Sequence, residues 1–213
     1  MQEYKMLRSK FVAFIAMMGA LGNVLFALSA PLLTVTGGLV GISIDLSHVG
    51  TIIAAMLGGP LAGAVAGAIV GILPGIWFGY VVGGAGVVAL LCLPIGKALT
   101  GATAGILFKT MNVLERNNKS LMAALIVLLS YIPEMLFTIM YFLVLLPQIF
   151  GLPLNVAIAI CVMVIAKAWV EIAIIGTLAG ALIGNNGFLE FMNKHFVPIP
   201  VLYSHGTSKT SKP

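Results

Sequence analysis

Charged side chains are scarce in this sequence. Of its 213 residues, 11 are Lys or Arg and 6 are Asp or Glu, which is 8% of the chain, whereas 61% are hydrophobic. An ordinary soluble domain carries about 25% charged residues, so these are too few to solvate a globule of this size. The shortage excludes a water-soluble domain, a disordered chain and a nucleic-acid-binding protein. Cysteine is scarce too: Cys92 and Cys161 both lie in apolar runs, which excludes a disulfide-stapled secreted module.

Motifs of the common enzyme classes are also missing. Gly96-Lys97 is followed by Ala98 and lacks the preceding glycine of a phosphate-binding loop, so we expect no ATP hydrolysis by this chain alone. The sequence contains no Gly-x-Ser-x-Gly, His-Glu-x-x-His or Cys-x-x-Cys pattern. We therefore expect a protein that is not an enzyme and that has neither a metal site nor a cofactor.

Long apolar runs occupy most of the chain. A helix that crosses a bilayer needs about 20 mostly apolar residues, and the turn signal Gly58-Gly59-Pro60 divides one run that is too long for a single crossing. The runs predict an all-α polytopic membrane protein with six transmembrane helices, at residues 11–30, 46–57, 61–76, 87–108, 121–146 and 154–183.

The basic residues predict the orientation. They concentrate before the first span, in the polar connection 109–119 and in the tail. Six spans with a cytoplasmic N-terminus place all three segments inside, as the positive-inside rule requires. We predict one membrane domain over residues 1–184 and a partly disordered cytoplasmic tail over 185–213. Both termini are then cytoplasmic, in a multi-pass protein of the plasma membrane.

The first run has an alternative interpretation. Ala27-Leu-Ser-Ala30 resembles the cleavage site of a secretory signal peptide. The length of the run, together with Gly19, Gly22 and Asn23 inside it, favours a helix packed within the protein.

Small residues recur at four-residue spacing, which places them on one face of a helix. Gly59, Gly63, Gly67, Gly71 and Gly75 form the longest such ridge. Glycine on a helix face lets a neighbouring backbone approach closely, so this ridge predicts tight internal packing. Ala16 and Ala20 form a shorter step in the first span, for which packing within the chain and docking of a partner subunit both stay open.

Ionisable residues inside apolar spans cost several kcal/mol if they face lipid, so they indicate a cavity or mutual pairing. From these and nearby aromatic residues we predict eight substrate-binding residues: Asp45, His48, Trp77, Lys97, Glu134, Lys167, Trp169 and Glu171. The ionisable members come from four spans and are expected to converge between the membrane midplane and its outer face.

Four of these residues also have a structural interpretation. Lys167 and Glu171 are four residues apart on one helix face and can neutralise each other. Asp45 can cap the second span, and the long side chain of Lys97 can extend toward the interface. Glu134 follows Pro133, which kinks a helix and frees a backbone carbonyl, so its interpretation as a functional residue is stronger.

The chain resembles a known transporter family at three places. These are the Ala16-x-x-x-Ala20 step, the stretch from Ile44-Asp-Leu-Ser-His to Gly-Gly-Pro-Leu-Ala-Gly63, and Pro94-Ile-Gly-Lys-Ala-Leu99. With the six-span layout, they resemble the substrate-binding S component of an energy-coupling factor (ECF) transporter. Such small membrane receptors bind vitamins or related micronutrients and join a transmembrane T component that carries two ATPases.

The resemblance implies specific roles. Ala16 and Ala20 would dock the T component, the 31–43 loop would gate the ligand from outside, and the ligand would lie in the outer half of the bundle. The N-terminal Met-His signature of the metal-transporting members is absent, so metal transport is not expected. The alternative hypothesis from the charged residues alone is an autonomous proton-coupled carrier of a small polar solute, using Glu134 and Glu171. A membrane scaffold without a ligand is a third possibility.

Overall fold

A computed structural model describes residues 2–33, 45–82 and 84–196, without the side chains of 2–8 and 31–33. Within these residues the protein is all-α. The helices are α1 (Gln2–Leu33), α2 (His48–Val70), α3 (Ile72–Ile76), α4 (Gly86–Thr110), α5 (Lys119–Ser130), α6 (Ile132–Met140), α7 (Leu146–Phe150), α8 (Leu154–Gly184) and α9 (Asn186–His195). One π-helical turn follows α3 and a second joins α6 to α7.

Across the described part of the chain, five helical stretches are long and apolar enough to cross a membrane. They are Ser9–Ala30, His48–Val81, Gly86–Thr110, Lys119–Phe150 and Leu154–Gly184. The protein is therefore an all-α polytopic membrane protein, as the apolar runs predict.

The second stretch contains a reversal of the chain at Gly59. This residue has φ 81° and ψ −168°, a conformation that favours glycine. A Cβ atom on Gly63 would lie only 2.7 Å from the Cβ of Ala55, whereas eight residues of a continuous helix rise about 12 Å. Residues 48–58 and 60–70 are therefore two antiparallel arms, which we call the first arm and the second arm.

The first arm is shorter than a membrane crossing. Residues 48–58 extend about 16 Å at about 1.5 Å per residue, roughly half of a hydrocarbon core about 30 Å thick. The predicted break at Gly58-Gly59-Pro60 is thus present, but the predicted span 46–57 is a half-length arm. Sequence hydropathy records that the residues are apolar and does not record how deep in the membrane they begin.

Glycines set the contact between the second arm and α4. Gly63 and Gly101 each leave room for the backbone of the other, and a Cβ on Gly67 would overlap the carbonyl of Lys97. The predicted glycine ridge is therefore the surface on which α4 packs. Gly59 is the exception, because it forms the turn and a Cβ there would meet no atom within 4 Å.

Asn23 joins α1 to the second arm and α3. Its side-chain Nδ2 donates to the carbonyl of Ile69 at 2.9 Å, and its Oδ1 accepts from the backbone N–H of Leu73 at 3.3 Å. Ile69 and Leu73 are four residues apart, the spacing at which backbone groups bond each other in an uninterrupted helix. Because Gly19 also packs against Ile69, α1 is an integral part of the bundle.

Three polar segments lie at one end of the bundle. The ring of Phe14 in α1 and the ring of Phe196, after α9, have centroids 6.5 Å apart. Lys119, at the end of the connection after α4, donates from Nζ to Asn186 Oδ1 at 2.8 Å. The beginning of α1, the 109–119 connection and α9 therefore share a side, as the six-span layout requires.

The predicted tail and gate are only partly described. Residues 186–195, predicted as part of a polar tail, form α9, and its Leu189 and Met192 are buried in the core. Residues 197–213 lie outside the described residues. The predicted gate loop 31–43 begins inside α1, which continues to Leu33, and the rest of that loop also lies outside the described residues.

Candidate functional site

Six ionisable side chains meet inside the bundle, and we call them the ionic cluster. Its members are Asp45, His48, Lys97, Glu134, Lys167 and Glu171. They come from the start of the first arm and from α4, α6 and α8.

The ionic cluster lies near the middle of the bundle. Lys97, Glu134 and Glu171 are each within about two residues of the midpoint of their membrane-crossing stretch. Asp45 and His48 lie at the same level, because they contact Lys97 and Glu134 where the first arm begins. The ionic cluster therefore occupies one level of the bundle.

Lys97 organises one part of the ionic cluster. Its Nζ lies 2.8 Å from Asp45 Oδ2 and donates to Ser47 Oγ, also at 2.8 Å. Gly67 permits this arrangement, because its missing side chain lets the backbone of α4 at Lys97 contact the second arm. Lys97 is 3% exposed and Asp45 is 8% exposed, so their charges neutralise each other away from solvent.

Asp45 also connects the first arm to α8. Its backbone N–H donates to Glu171 Oε1, and the same carboxylate oxygen lies 3.3 Å from Lys167 Nζ. The predicted pairing of Lys167 with Glu171 is therefore present in the structure. The predicted capping role of Asp45 takes a different form: Ser47 is the N-cap residue of α2, and Asp45 Oδ1 accepts from its backbone N–H at 2.8 Å.

Glu134 forms the third part of the ionic cluster. Its Oε1 lies 3.4 Å from His48 Nε2, and its Oε2 accepts a hydrogen bond from the Thr100 hydroxyl. Glu134 follows Pro133 at the beginning of α6, where Tyr131 separates α5 from α6. The other ring nitrogen, His48 Nδ1, is buried and has no hydrogen-bond partner in the described part of the structure.

Two hydroxyl residues of the site are absent from the sequence predictions. Ser47 and Thr100 are both fully buried. The Ser47 hydroxyl accepts a hydrogen bond from Lys97, and the Thr100 hydroxyl donates one to Glu134. A weak signal for Thr100 was its position three residues after Lys97, on the same face of α4. Serine and threonine carry no charge and are common in apolar helices, so their types do not mark a polar site in the sequence.

The two predicted tryptophans lie in different places. Trp169 is on α8 between Lys167 and Glu171, and it packs edge to face with Tyr131 at 5.5 Å between ring centroids. Trp77 is about 15 Å along its helix from the level of Gly67, at about 1.5 Å per residue. Trp169 therefore borders the ionic cluster, whereas Trp77 lies apart from it.

Ala16 and Ala20 are both exposed on the outer face of α1. The contacts of α1 with the second arm use a different face, which includes Gly19 and Gly22. Packing within the described chain therefore does not account for the alanine step, and docking of a partner stays a prediction.

The ionic cluster combines acidic, basic and hydroxyl side chains. Residues 2–33, 45–82 and 84–196 contain no group of three His, Cys, Asp or Glu side chains that could hold a metal ion.

Comparisons of the chain with protein families, with curated proteins and with solved structures find no match. The ionic cluster itself is therefore the main guide to function.

Proposed function

We propose that this chain is the membrane-embedded, substrate-binding subunit of an ECF-type importer in the plasma membrane. It captures a small, water-soluble vitamin or related micronutrient, and a T component with two ATPase subunits supplies the energy for uptake. The ionic cluster is the observation that carries this proposal. Charged side chains inside a membrane protein face a binding cavity, an ion pathway or one another, and here four helical segments contribute to one buried group.

Two further features support a subunit that depends on partners. The sequence has no phosphate-binding loop, so uptake driven by ATP requires ATPase subunits in other chains. The exposed Ala16 and Ala20 present a small-residue surface on α1, and such surfaces let helices of different subunits approach closely.

Ligand binding and partner binding test the proposal together. The purified chain is mixed with a panel of vitamins, and the midpoint of thermal unfolding is measured for each. A co-expressed T component is then tested for co-purification. We expect one vitamin to raise the midpoint and the T component to co-purify. Absence of both effects contradicts the proposed function.

The alanine step is tested separately. Replacing Ala16 and Ala20 by leucine is expected to abolish co-purification of the T component without changing ligand binding, because bulky side chains prevent close helix contact. Val162→Leu, at an exposed position of α8, is the matched control and keeps the partner bound. Retention of the T component by the double alanine variant assigns docking to another face.

A second candidate function is an autonomous proton-coupled carrier. The contact between His48 and Glu134 favours it, since buried histidines and carboxylates form the proton relays of many carriers. Vesicles that contain this chain alone distinguish the two functions. Uptake driven by a proton gradient supports the carrier, whereas uptake that requires the T component and ATP supports the importer subunit.

A further inference from the structure

We propose that the ligand of the ionic cluster is a small organic cation with at least one N–H donor, such as a protonated amine, and that its charge lies against Glu134. This inference rests on the proposed function and narrows its substrate class.

The charge of the ionic cluster does not balance. Asp45, Glu134 and Glu171 contribute three negative charges, and Lys97 and Lys167 contribute two positive charges. With a neutral His48, the group has one uncompensated negative charge. A buried charge without a partner is unfavourable, so the group needs either a proton or a bound cation.

The pairing locates the uncompensated charge. Lys97 contacts Asp45 and Lys167 contacts Glu171, each as an ion pair. Glu134 is the one carboxylate of the ionic cluster that has no ion pair with a lysine in the described residues. Its contacts are the His48 ring and the Thr100 hydroxyl, neither of which carries a permanent positive charge.

His48 supplies the second, independent observation. Its side chain is 7% exposed, one ring nitrogen contacts Glu134, and the other, Nδ1, is buried without a partner. On a neutral ring that donates toward Glu134, Nδ1 is a free acceptor. A ligand N–H can satisfy this acceptor while the positive charge of the ligand pairs with Glu134.

An anionic ligand fits the same surroundings poorly. To gain a positive partner it has to compete with Asp45 for Lys97 or with Glu171 for Lys167, and either exchange leaves a buried carboxylate alone. A cation requires no such exchange. Tyr131 immediately precedes α6 and lies three residues before Glu134, and an aromatic ring beside a cation adds to its binding.

The empty protein gives the first test. Glu134→Gln removes the unbalanced charge and keeps the shape, so its thermal midpoint in detergent is expected to equal or exceed that of the wild type. Asp45→Asn is the matched comparison, since it leaves Lys97 buried without its carboxylate. We expect it to lower the midpoint by about 5 °C or more, or to prevent folding. A fall for Glu134→Gln as large as that for Asp45→Asn overturns the proposal.

Binding gives the second test. Isothermal titration of the full chain uses thiamine and pyridoxamine as cations, riboflavin as a neutral probe, and biotin and pantothenate as anions. We expect a cation to bind. We expect Glu134→Gln to reduce its affinity by a factor of about ten or more, because a charged contact is lost. Binding of an anionic or neutral probe alone overturns the cation assignment but leaves the proposed function intact. Binding of no probe of any charge overturns the cation assignment, and if the T component also fails to co-purify, it overturns the proposed function as well.

Discussion

The second arm and α4 are held together in two different ways within about one helical turn. At Gly63 and Gly101, the two backbones touch because neither residue has a side chain. At Gly67, the same close approach carries Lys97 into the ionic cluster, where its ammonium group contacts Asp45. Inside a membrane, helices gain little from hydrophobic burial against one another, so close packing and polar contacts supply their association.

The glycine contact and the ionic cluster are sensitive to different substitutions. The glycine contact depends on the absence of atoms, so any added side chain disturbs it whatever its chemistry. The ionic cluster depends on charge balance, so it tolerates the loss of two opposite charges better than the loss of one. Substitutions at each region can therefore separate steric effects from electrostatic effects.

The largest effect is expected from Lys97→Met. This change leaves the Asp45 carboxylate buried beside Glu171, and breaking a buried ion pair in this way costs about 3 kcal/mol of unfolding free energy. Denaturant titration in detergent measures it. The double variant Asp45→Asn with Lys97→Met is expected to lose less than the single variant. If the losses of the two single variants simply add, the two residues are not coupled.

Gly67→Ala tests the steric region and is expected to cost about 2 kcal/mol, because the new methyl group overlaps the backbone of α4 at Lys97. The same titration measures the loss. Val65→Ile is the matched control on the exposed side of the second arm, with an expected change within about 0.5 kcal/mol. Equal losses for the two variants argue against close backbone contact at Gly67.

Lys167→Met is expected to have a smaller effect than Lys97→Met, about 1 kcal/mol. The Lys167 side chain is 17% exposed, whereas that of Lys97 is 4% exposed, so replacing Lys167 removes fewer buried contacts. Glu171 also keeps the backbone N–H of Asp45 as a donor. Lys167→Arg, which keeps the charge, serves as the control in the same titration. If Lys167→Met lowers the free energy of unfolding as much as Lys97→Met, the difference in exposure between the two lysines does not determine the strength of their ion pairs.

Gly96→Ala is expected to have the smallest effect on stability, within about 0.5 kcal/mol. This substitution tests a steric effect at the ionic cluster itself, because Gly96 lies beside Glu134. A Cβ on Gly96 would lie 3.3 Å from Cγ of Glu134, and this flexible side chain can shift. We expect nearly unchanged unfolding but weaker ligand binding, measured by titration on the same preparation. A stability loss as large as that of Gly67→Ala means that Glu134 cannot move.

The sequence predicts the membrane class and much of the site, for physical reasons. Charged residues in apolar runs have few ways to be accommodated, so Glu134, Lys167 and Glu171 were expected to meet other polar groups. The regular glycine spacing likewise predicts a helix contact surface. The depth of Asp45 and His48 was not predictable, because it depends on where the first arm begins in the membrane.

The hydrogen bonds of Asn23 fix the depth of α1. If α1 slid along its own axis by one turn, about 5.4 Å, the carbonyl of Ile69 and the N–H of Leu73 would lose their partner in a region without water. Piston-like sliding of α1 past the second arm is therefore opposed. The close contact of Gly19 with Ile69 adds to this restraint, so α1 and the second arm keep one register along their axes.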